Sequence, residues 1–295
     1  MKIDFFLMTF KGFKVLESII HDNFLKNINS VIIGKDDNVV NDYSTEIQKL
    51  CISNNIKYYF RSDNNYFKND VDLKIAISWR WLIDNGNKEL IVFHDSLLPK
   101  YRGFSPLVNM LIKKEREIGV TALYASENYD AGEIIDQRSR IINYPIKIDR
   151  AIEKVSELYC ELVLSILNNI NSNKKLPNST IQDEKLATYS LWRDELDYHI
   201  DWNQSSEEIL NFINAVSFPY KGACSYINDK KVRILDACTV PDVNIEIRHV
   251  GKVIFSKDEY PVVVCGKGLL QLTKVVNDEN NDSILPLNKF RIRFN

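Results

Sequence analysis

A histidine at the end of a buried strand is the first residue of this chain whose position suggests chemistry. In the segment VFHDSLLPKYRG, His94 directly follows an apolar run that reads as a β-strand ending at Phe93. Ligands of open parallel sheets bind beyond the carboxyl ends of the strands, and an imidazole placed there can accept a proton near neutral pH. His94 is therefore a candidate general base; a histidine satisfied within a loop is the alternative.

A second candidate is an aspartate that precedes a glycine-containing turn. In the segment YDAGEII, Asp130 is followed by Ala131 and Gly132, and a strand begins shortly afterwards. Gly132 allows a close approach of the backbone because it has no Cβ atom. A carboxylate beside the imidazole would orient the ring and favour its charged form. An ordinary turn aspartate is the alternative interpretation.

These motifs, in this order and spacing, resemble those of the folate-dependent formyltransferases. The segments HDSLLPKYRG, GVTALY and DAGEII carry the resemblance in the first half of the chain. TYSLWRDELDYHIDW (188–202) and AVSFPYKGA (215–223) extend it through the second half. They look most similar to the two-domain amino-sugar N-formyltransferases, whose family also includes the methionyl-tRNA and glycinamide ribonucleotide formyltransferases.

The resemblance implies a reaction and a catalytic set. The family moves the formyl group of N10-formyltetrahydrofolate to a primary amine with an Asn, a His and an Asp, the Asn lying two residues before the His. His94 and Asp130 match two of these positions, and Val92 occupies the position of the Asn. Attack of an amine on a formyl carbon builds an oxyanion, and the loss of one oxyanion donor can cost about 10²–10³ in rate.

Val92 leaves three outcomes open, which are a substitute donor, a slower enzyme or a lost activity. We favour a substitute donor because the rest of the catalytic set is retained. The preferred donors are Ser78, which ends the neighbouring strand, and Asn109, which lies in the following helix. Ser96 or a backbone N–H are further options.

The resemblance also points to candidate residues for the folate cofactor. The folate pocket of the family lies against the strand that ends near Ser78, so Trp79, Arg80, Trp81 and Gly132 are the candidate cofactor-binding residues. An aromatic or guanidinium face there could stack on the pterin. Two core tryptophans and a surface arginine are the structural alternative.

The residues after the proline turn are candidate contacts to an anionic substrate. Lys100, Tyr101 and Arg102 follow Pro99 and include two cations. Shaping of the loop is their alternative role. Asp95, next to His94, is expected either to contact the acceptor amine or, by preference, to cap the turn.

The elements that must position these residues alternate between strands and helices. Apolar runs such as Ile3–Thr9 and Leu73–Ser78 predict buried strands, and Ile148–Asn169 predicts a long amphipathic helix. This alternation indicates an α/β domain with a parallel sheet and helices on both faces. The Rossmann-like catalytic domain implied by the resemblance is expected at residues 1–185.

The pattern changes after the polar segment Ser172–Lys185. Residues 186–204 are a predicted linker, and residues 205–295 a smaller C-terminal domain. One helix is predicted at Ser205–Ala215 with Ser205 or Ser206 as its N-cap. The short strands and turn signals that follow predict an antiparallel, OB-like β-rich barrel or sandwich.

The composition limits the class of protein. Of the 295 residues, 45% are hydrophobic and 26% charged, which is typical of a globular chain. The net charge of −2 indicates no basic surface for nucleic acid, and five dispersed cysteines fit free thiols in a reducing cytoplasm. The isolated histidines predict no metal site, and no apolar run reaches the ~18–20 residues of a membrane span.

Three functions remain as hypotheses. The first is N-formylation of a nucleotide-linked amino sugar for lipopolysaccharide or another glycoconjugate. The second is formylation of methionyl-tRNA, and the third is a catalytically silent folate- or sugar-binding protein that has lost the Asn. Residues 205–295 contain twelve Lys and Arg against eleven Asp and Glu, so they lack the basic excess that tRNA binding requires. The sequence therefore favours the sugar enzyme, and it is compatible with a homodimer.

Overall fold

The chain divides into two compact units in a computed structural model that describes residues 1–37, 39–63, 70–84, 86, 88–289 and 291–295. Unit 1 comprises residues 1–107, 116–142 and 150–191, and unit 2 comprises residues 108–115, 143–149 and 192–295. In this division, residues 186–191 of the predicted linker group with unit 1, and the remainder groups with unit 2.

The strands of the described chain follow one another in two groups. Those of unit 1 are β1 (Ile3–Leu7), β2 (Ile28–Ile33), β3 (Tyr58–Phe60), β4 (Leu73–Ile77), β5 (Glu89–His94), β6 (Arg102–Gly103), β7 (Glu117–Tyr124), β8 (Ile134–Ile141) and β9 (Tyr189–Ser190). Those of unit 2 are β10 (Ala223–Ile227), β11 (Lys230–Val240), β12 (Val253–Lys257), β13 (Tyr260–Val264) and β14 (Leu269–Asn277). The α-helices are α1 (Thr9–His21), α2 (Ser44–Ser53), α3 (Pro106–Ile112), α4 (Ile148–Asn173) and α5 (Ser206–Ala215).

The central sheet of unit 1 has the strand order β3-β2-β1-β4-β5-β7-β8. The strands from β3 to β5 pair in parallel, as the alternation predicts. β7 pairs antiparallel with β5, and β8 pairs antiparallel with β7. Residues 125–133 join β7 to β8, and this loop is too short for the crossover that a parallel pair needs. The predicted α/β class is therefore confirmed, but the sheet is mixed rather than wholly parallel.

The middle of this sheet is buried on both faces, which explains its nearly unbroken apolar strands. One core cluster includes Phe6, Ala76 and Leu90, and Trp79 and Val92 pack against it. The carboxyl ends of β4 and β5 therefore rest on closely packed side chains, which is the base that a precise site requires.

Unit 2 is built on an antiparallel sheet with the order β10-β11-β14-β13-β12. The predicted β-rich domain is thus confirmed. Within the described residues, β10 and β12 form the edges, so the hydrogen bonding is that of an open sheet rather than a closed barrel. In the part of the chain that the structure describes, no helix is both long enough and apolar enough to cross a bilayer.

Helix α5 begins with the predicted serine cap. The Ser205 hydroxyl accepts a hydrogen bond from the backbone N–H of Glu208. The Glu208 carboxylate accepts one in return from the backbone N–H of Ser205, with an N–O distance of 2.8 Å. This reciprocal capping box satisfies two N–H groups that the helix itself leaves without partners.

We expect Ser205→Ala to lower the free energy of unfolding of unit 2 by about 1 kcal/mol, because the first turn of α5 loses its side-chain acceptor. Chemical denaturation followed by circular dichroism measures this loss. Glu207→Gln in the same turn is the control, since Glu207 lies outside the capping box. Equal losses in the two variants would contradict the assignment of the cap.

Candidate active site

His94 is the last residue of β5, and its side chain is almost wholly enclosed, with 7% of the residue exposed. Its Nε2 atom lies 2.7 Å from the carbonyl oxygen of Tyr101. A carbonyl oxygen can only accept a hydrogen bond, so Nε2 carries the hydrogen and donates it. The lone pair of the neutral ring is therefore on Nδ1, and Nδ1 lies 3.5 Å from Oδ1 of Asp130.

Asp130 lies in the loop 125–133 between β7 and β8. Its φ of +54° places it in the left-handed region, which costs energy for a residue other than glycine. Its Oδ2 atom accepts a hydrogen bond of 2.8 Å from the backbone N–H of Gly103, and its Oδ1 faces His94. The structure thus brings together the two residues that the sequence motifs single out.

This arrangement leaves one ring nitrogen of His94 without a hydrogen and facing Asp130. Nδ1 and Oδ1 of Asp130 are 3.5 Å apart, so a proton held on Nδ1 would lie beside a carboxylate. The geometry therefore suits a base that accepts a proton beside Asp130 while Nε2 stays bound to the backbone of Tyr101.

A cavity of about 580 Å³ opens beside the pair, within the usual range for small-molecule sites. His94, Asp130 and Val92 all line it, as the alternation of side chains along β5 predicts for Val92 and His94. Much of the remaining wall is apolar and includes Ala76, Leu82, Ile83, Leu90 and Leu123. Two exposed rings that sequence reasoning missed, those of Phe104 and Tyr129, also line the cavity, with centroids 6.3 Å apart.

The three candidate residues after β4 also line this cavity. The rings of Trp79 and Trp81 meet edge to face with centroids 5.1 Å apart. The guanidinium of Arg80 lies 5.0 Å from the Trp81 centroid and forms an ion pair of 2.8 Å with Asp36. The indole N–H of Trp79 is buried without a hydrogen-bond partner among the described residues. An aromatic wall with one unsatisfied donor is suited to a flat, polar heterocycle.

Gly132 shapes the loop that carries Asp130 and is not among the described residues that line the cavity. A Cβ atom on Gly132 would lie 1.7 Å from the carbonyl oxygen of Tyr124. Only glycine fits there without a shift of the backbone. Its close packing against the end of β7 helps to fix the loop that carries Asp130.

The two proposed substitute donors lie outside the described wall of the cavity. Ser78 accepts a hydrogen bond of 3.0 Å from the hydroxyl of Thr9. Asn109 groups with unit 2, and its side-chain oxygen accepts a hydrogen bond of 2.9 Å from Arg193.

Arg102 has the structural place that the sequence left open as the alternative to a substrate contact. It is 2% exposed, and its guanidinium donates to the side chains of Gln182 and Glu184. The hydrogen bonds to Glu184, with a further contribution from Tyr189, raise the pKa of Arg102 although its burial lowers it. Tyr101 contributes its carbonyl oxygen to His94, and Lys100 is exposed outside the described wall.

Asp95 adopts neither of its two expected roles. Its carboxylate forms a largely buried ion pair with Lys11 and accepts a hydrogen bond of 2.6 Å from the hydroxyl of Tyr159. Burial by itself raises the pKa of Asp95, but Lys11, with further help from Tyr159, holds this pKa below its ordinary value. Lys11 and Tyr159 are distant in sequence, so no local motif indicates this network.

Comparison with known proteins assigns the chain to a family. A sequence model described as "Formyl transferase" matches residues 72–162, and one described as "Formyl transferase, C-terminal domain" matches residues 194–284. Together the two matches cover more than half of the chain. The chain belongs to the formyltransferase family. The first match contains β5, His94 and Asp130, so the candidate site lies in the region that defines the family.

Similar proteins include one family member known by its sequence and two known by their structures. Methionyl-tRNA formyltransferase of Staphylococcus epidermidis is 37% identical over 149 residues, which are 50% of this chain and 46% of the relative. This formyltransferase chain spans about half the length of the curated relatives it matches.

The two structures share the fold across nearly their whole length. The N-formyltransferase from Helicobacter canadensis in complex with folinic acid and dTDP-3-aminofucose has a TM-score of 0.68 and 19% identity, over 92% of this chain and 98% of that one. WlaRD, a sugar 3N-formyl transferase crystallised with dTDP and 5-N-formyl-THF, has a TM-score of 0.63 and 21% identity, over 98% of each chain.

The Asp95 network predicts a dependence of stability on pH. Because the folded-state pKa is lowered, the ionised carboxylate stabilises the fold above the unfolded-state value of about 4. That stabilisation is lost as the pH falls through the folded-state pKa. We expect Asp95→Asn to cost about 3 kcal/mol at pH 7, since it leaves Lys11 unpaired, and the gap to wild type to narrow below about pH 4.

Urea unfolding at several pH values measures this gap. The double variant Lys11→Met/Asp95→Asn is the control, because it removes the unpaired ammonium and should be more stable than Asp95→Asn alone. A gap that stays constant from neutral to strongly acidic pH would show that Asp95 contributes no ionic stabilisation.

Proposed function

We propose that this chain transfers a formyl group from N10-formyltetrahydrofolate to a primary amine of a nucleotide-linked amino sugar. The observation that carries the proposal is the His94–Asp130 pair in the wall of a cavity, in a chain of the formyltransferase family. Two features of the sequence support a sugar as acceptor. Residues 188–202 and 215–223 resemble segments of the amino-sugar N-formyltransferases, and residues 205–295 have a near-neutral charge. The formylated sugar would be used in the synthesis of lipopolysaccharide or another glycoconjugate.

The residues of the cavity fit the folate donor. Trp79, Arg80 and Trp81 offer aromatic and guanidinium faces for the pterin, and the unpaired indole N–H of Trp79 offers a donor to one of its acceptor atoms. When bound, N10-formyltetrahydrofolate supplies the formyl carbon. The apolar remainder of the wall excludes water and so strengthens every electrostatic interaction at the reacting centre.

The His94–Asp130 pair would handle the proton of the acceptor amine. An amine must be neutral to attack and must lose a proton as the new C–N bond forms. Nδ1 of His94 is the nitrogen that can accept it, because Nε2 donates to Tyr101. Asp130 would stabilise the imidazolium, while the N–H of Gly103 keeps the carboxylate in place. Transfer breaks the bond between the formyl carbon and N10 of the donor, and the proton held on His94 would be available to that departing nitrogen.

Val92 presents an apolar side chain where the family uses an amide donor. Ser78 and Asn109 remain proposals that alanine substitution can test, although neither lies in the described wall. Asn128 does line the cavity, and its side-chain amide is a donor of the required type. Asn128 is therefore the substitute that the geometry favours.

Formylation of methionyl-tRNA is the second candidate function, because the curated relatives carry that name. Its physical requirement is a cationic surface that neutralises phosphates. Direct comparison of the two acceptors decides between them: wild-type protein is incubated with N10-formyltetrahydrofolate and either methionyl-tRNA or a panel of dTDP-, UDP- and GDP-linked amino sugars. A formylated sugar detected by mass spectrometry supports the proposal, and formylated methionyl-tRNA alone overturns it.

We expect His94→Ala and Asp130→Ala each to lower the rate of formyl transfer by at least about 10²-fold, the usual contribution of a positioned base. His21→Ala is the control, because His21 is exposed and remote in sequence from the motifs. Thermal unfolding verifies that all three variants fold. If the turnover rate of a variant stays within roughly threefold of the wild-type rate, the substituted residue is not catalytic.

We expect Val92→Asn to raise kcat with little change in KM, because the new amide would donate to charge that develops only in the transition state. Val92→Leu controls for the change in shape, since it adds bulk but no donor. An unchanged kcat in Val92→Asn would show that the site has already replaced the missing donor, or that position 92 does not face the developing charge.

A further inference from the structure

Gln182 connects the turn that carries Asp130 to Arg102, whose two sequence neighbours contact His94 and Asp130. It lies in residues 180–190, here named the strap, and is 6% exposed. Its Oε1 atom accepts hydrogen bonds from Nε and Nη2 of Arg102, at 3.2 and 2.8 Å. Its Nε2 atom donates to the carbonyl oxygens of Asp130 and Gly132, at 2.8 and 2.7 Å.

These contacts determine the orientation of the amide. The opposite orientation would turn the NH₂ group towards the guanidinium donors and the oxygen towards two carbonyl oxygens. An amide has two donor hydrogens and two acceptor positions, and all four are used in the observed orientation. Such a buried, fully satisfied amide resists displacement because any movement leaves polar atoms without partners.

Of the two carbonyl groups that Gln182 holds, one belongs to the strained residue Asp130 itself and the other to Gly132, two residues later. Asp130 has a φ of +54°, a conformation that persists only where the surrounding structure enforces it. Its carboxylate reaches both Gly103 and His94 from this backbone position. Movement of the 130–132 turn would therefore carry the carboxylate away from both partners.

We propose that Gln182 is a positioning residue for the carboxylate of Asp130. It binds the turn 130–132 to the loop 101–103, so that Oδ1 faces His94 while Oδ2 accepts from Gly103. The catalytic part of this inference rests on the proposed formyl transfer, whereas the positioning itself does not.

Glu184 provides a matched comparison on the same strap. Its carboxylate accepts hydrogen bonds from the same guanidinium, at 2.8 and 2.7 Å. Its side chain is 67% exposed, and the contacts described for it are to Arg102 rather than to the Asp130 loop. A variant at Glu184 therefore weakens the contact of the strap with Arg102 and leaves the contact with Asp130 in place.

Gln182→Glu separates positioning from general support of the fold. The new carboxylate keeps the shape of the side chain and gains an ion pair with Arg102, but it turns an acceptor towards the carbonyl oxygens of Asp130 and Gly132. We expect a folded variant in which the new ion pair offsets part of the stability lost with these hydrogen bonds, with kcat lowered about 10²-fold and KM little changed. Gln182→Ala, which introduces no charge, should lower kcat in the same way.

Amide hydrogen exchange of Gly103, measured by NMR without substrate, reports the position of the carboxylate directly. We expect exchange at Gly103 to become at least about tenfold faster in Gln182→Glu, because the acceptor of its N–H has moved. In Glu184→Gln, we expect both the exchange and kcat to match wild type.

Wild-type exchange at Gly103 in Gln182→Glu overturns the inference, and so does an equal loss of kcat in Gln182→Glu and Glu184→Gln. If the wild-type protein shows no formyl transfer, the proposed function is refuted. Faster exchange at Gly103 in Gln182→Glu would still support the positioning role. The two claims therefore fail through different measurements.

Discussion

The geometry of the site depends on the hydrogen bonds that the buried guanidinium of Arg102 makes with Gln182 and Glu184. A cation that is 2% exposed is tolerated only when its donors are satisfied, and here Gln182 and Glu184 satisfy them. The residues on either side of Arg102 contact the candidate pair through their backbone, Tyr101 to His94 and Gly103 to Asp130. Three consecutive residues therefore hold the imidazole, the strap and the carboxylate in one arrangement.

The two candidate site residues, His94 and Asp130, could be found from the sequence because each lies beside a predicted strand. His94 and Asp130 stand in motifs whose residue types and order are specific, and the apolar runs before them indicate the strands that carry them. The alternation of strands and helices likewise predicted the α/β class. The antiparallel direction of β7 and β8 was not predicted, because an apolar run is the same in either direction.

The contacts that hold the pair could not be predicted. The carbonyl oxygen of Tyr101 and the N–H of Gly103 belong to the backbone, which has the same chemistry at nearly every position. Gln182 and Asp95 make their contacts with partners far away in the sequence, so no spacing rule connects them. Arg102 resembled a substrate contact because charged residues are usually exposed, and only its burial reveals the structural role.

The strap has a consequence for the order in which the protein is assembled. Arg102 and Gln182 are 80 positions apart. Their contact therefore closes a long loop, and this closure costs conformational entropy of the chain. During synthesis, the strands before α4 emerge first and can pair while the strap is still within the ribosome. A fragment ending at Asn173 would contain both His94 and Asp130, yet it would lack Gln182, which joins the Asp130 turn to Arg102. A fragment that keeps these contacts therefore has to include the strap.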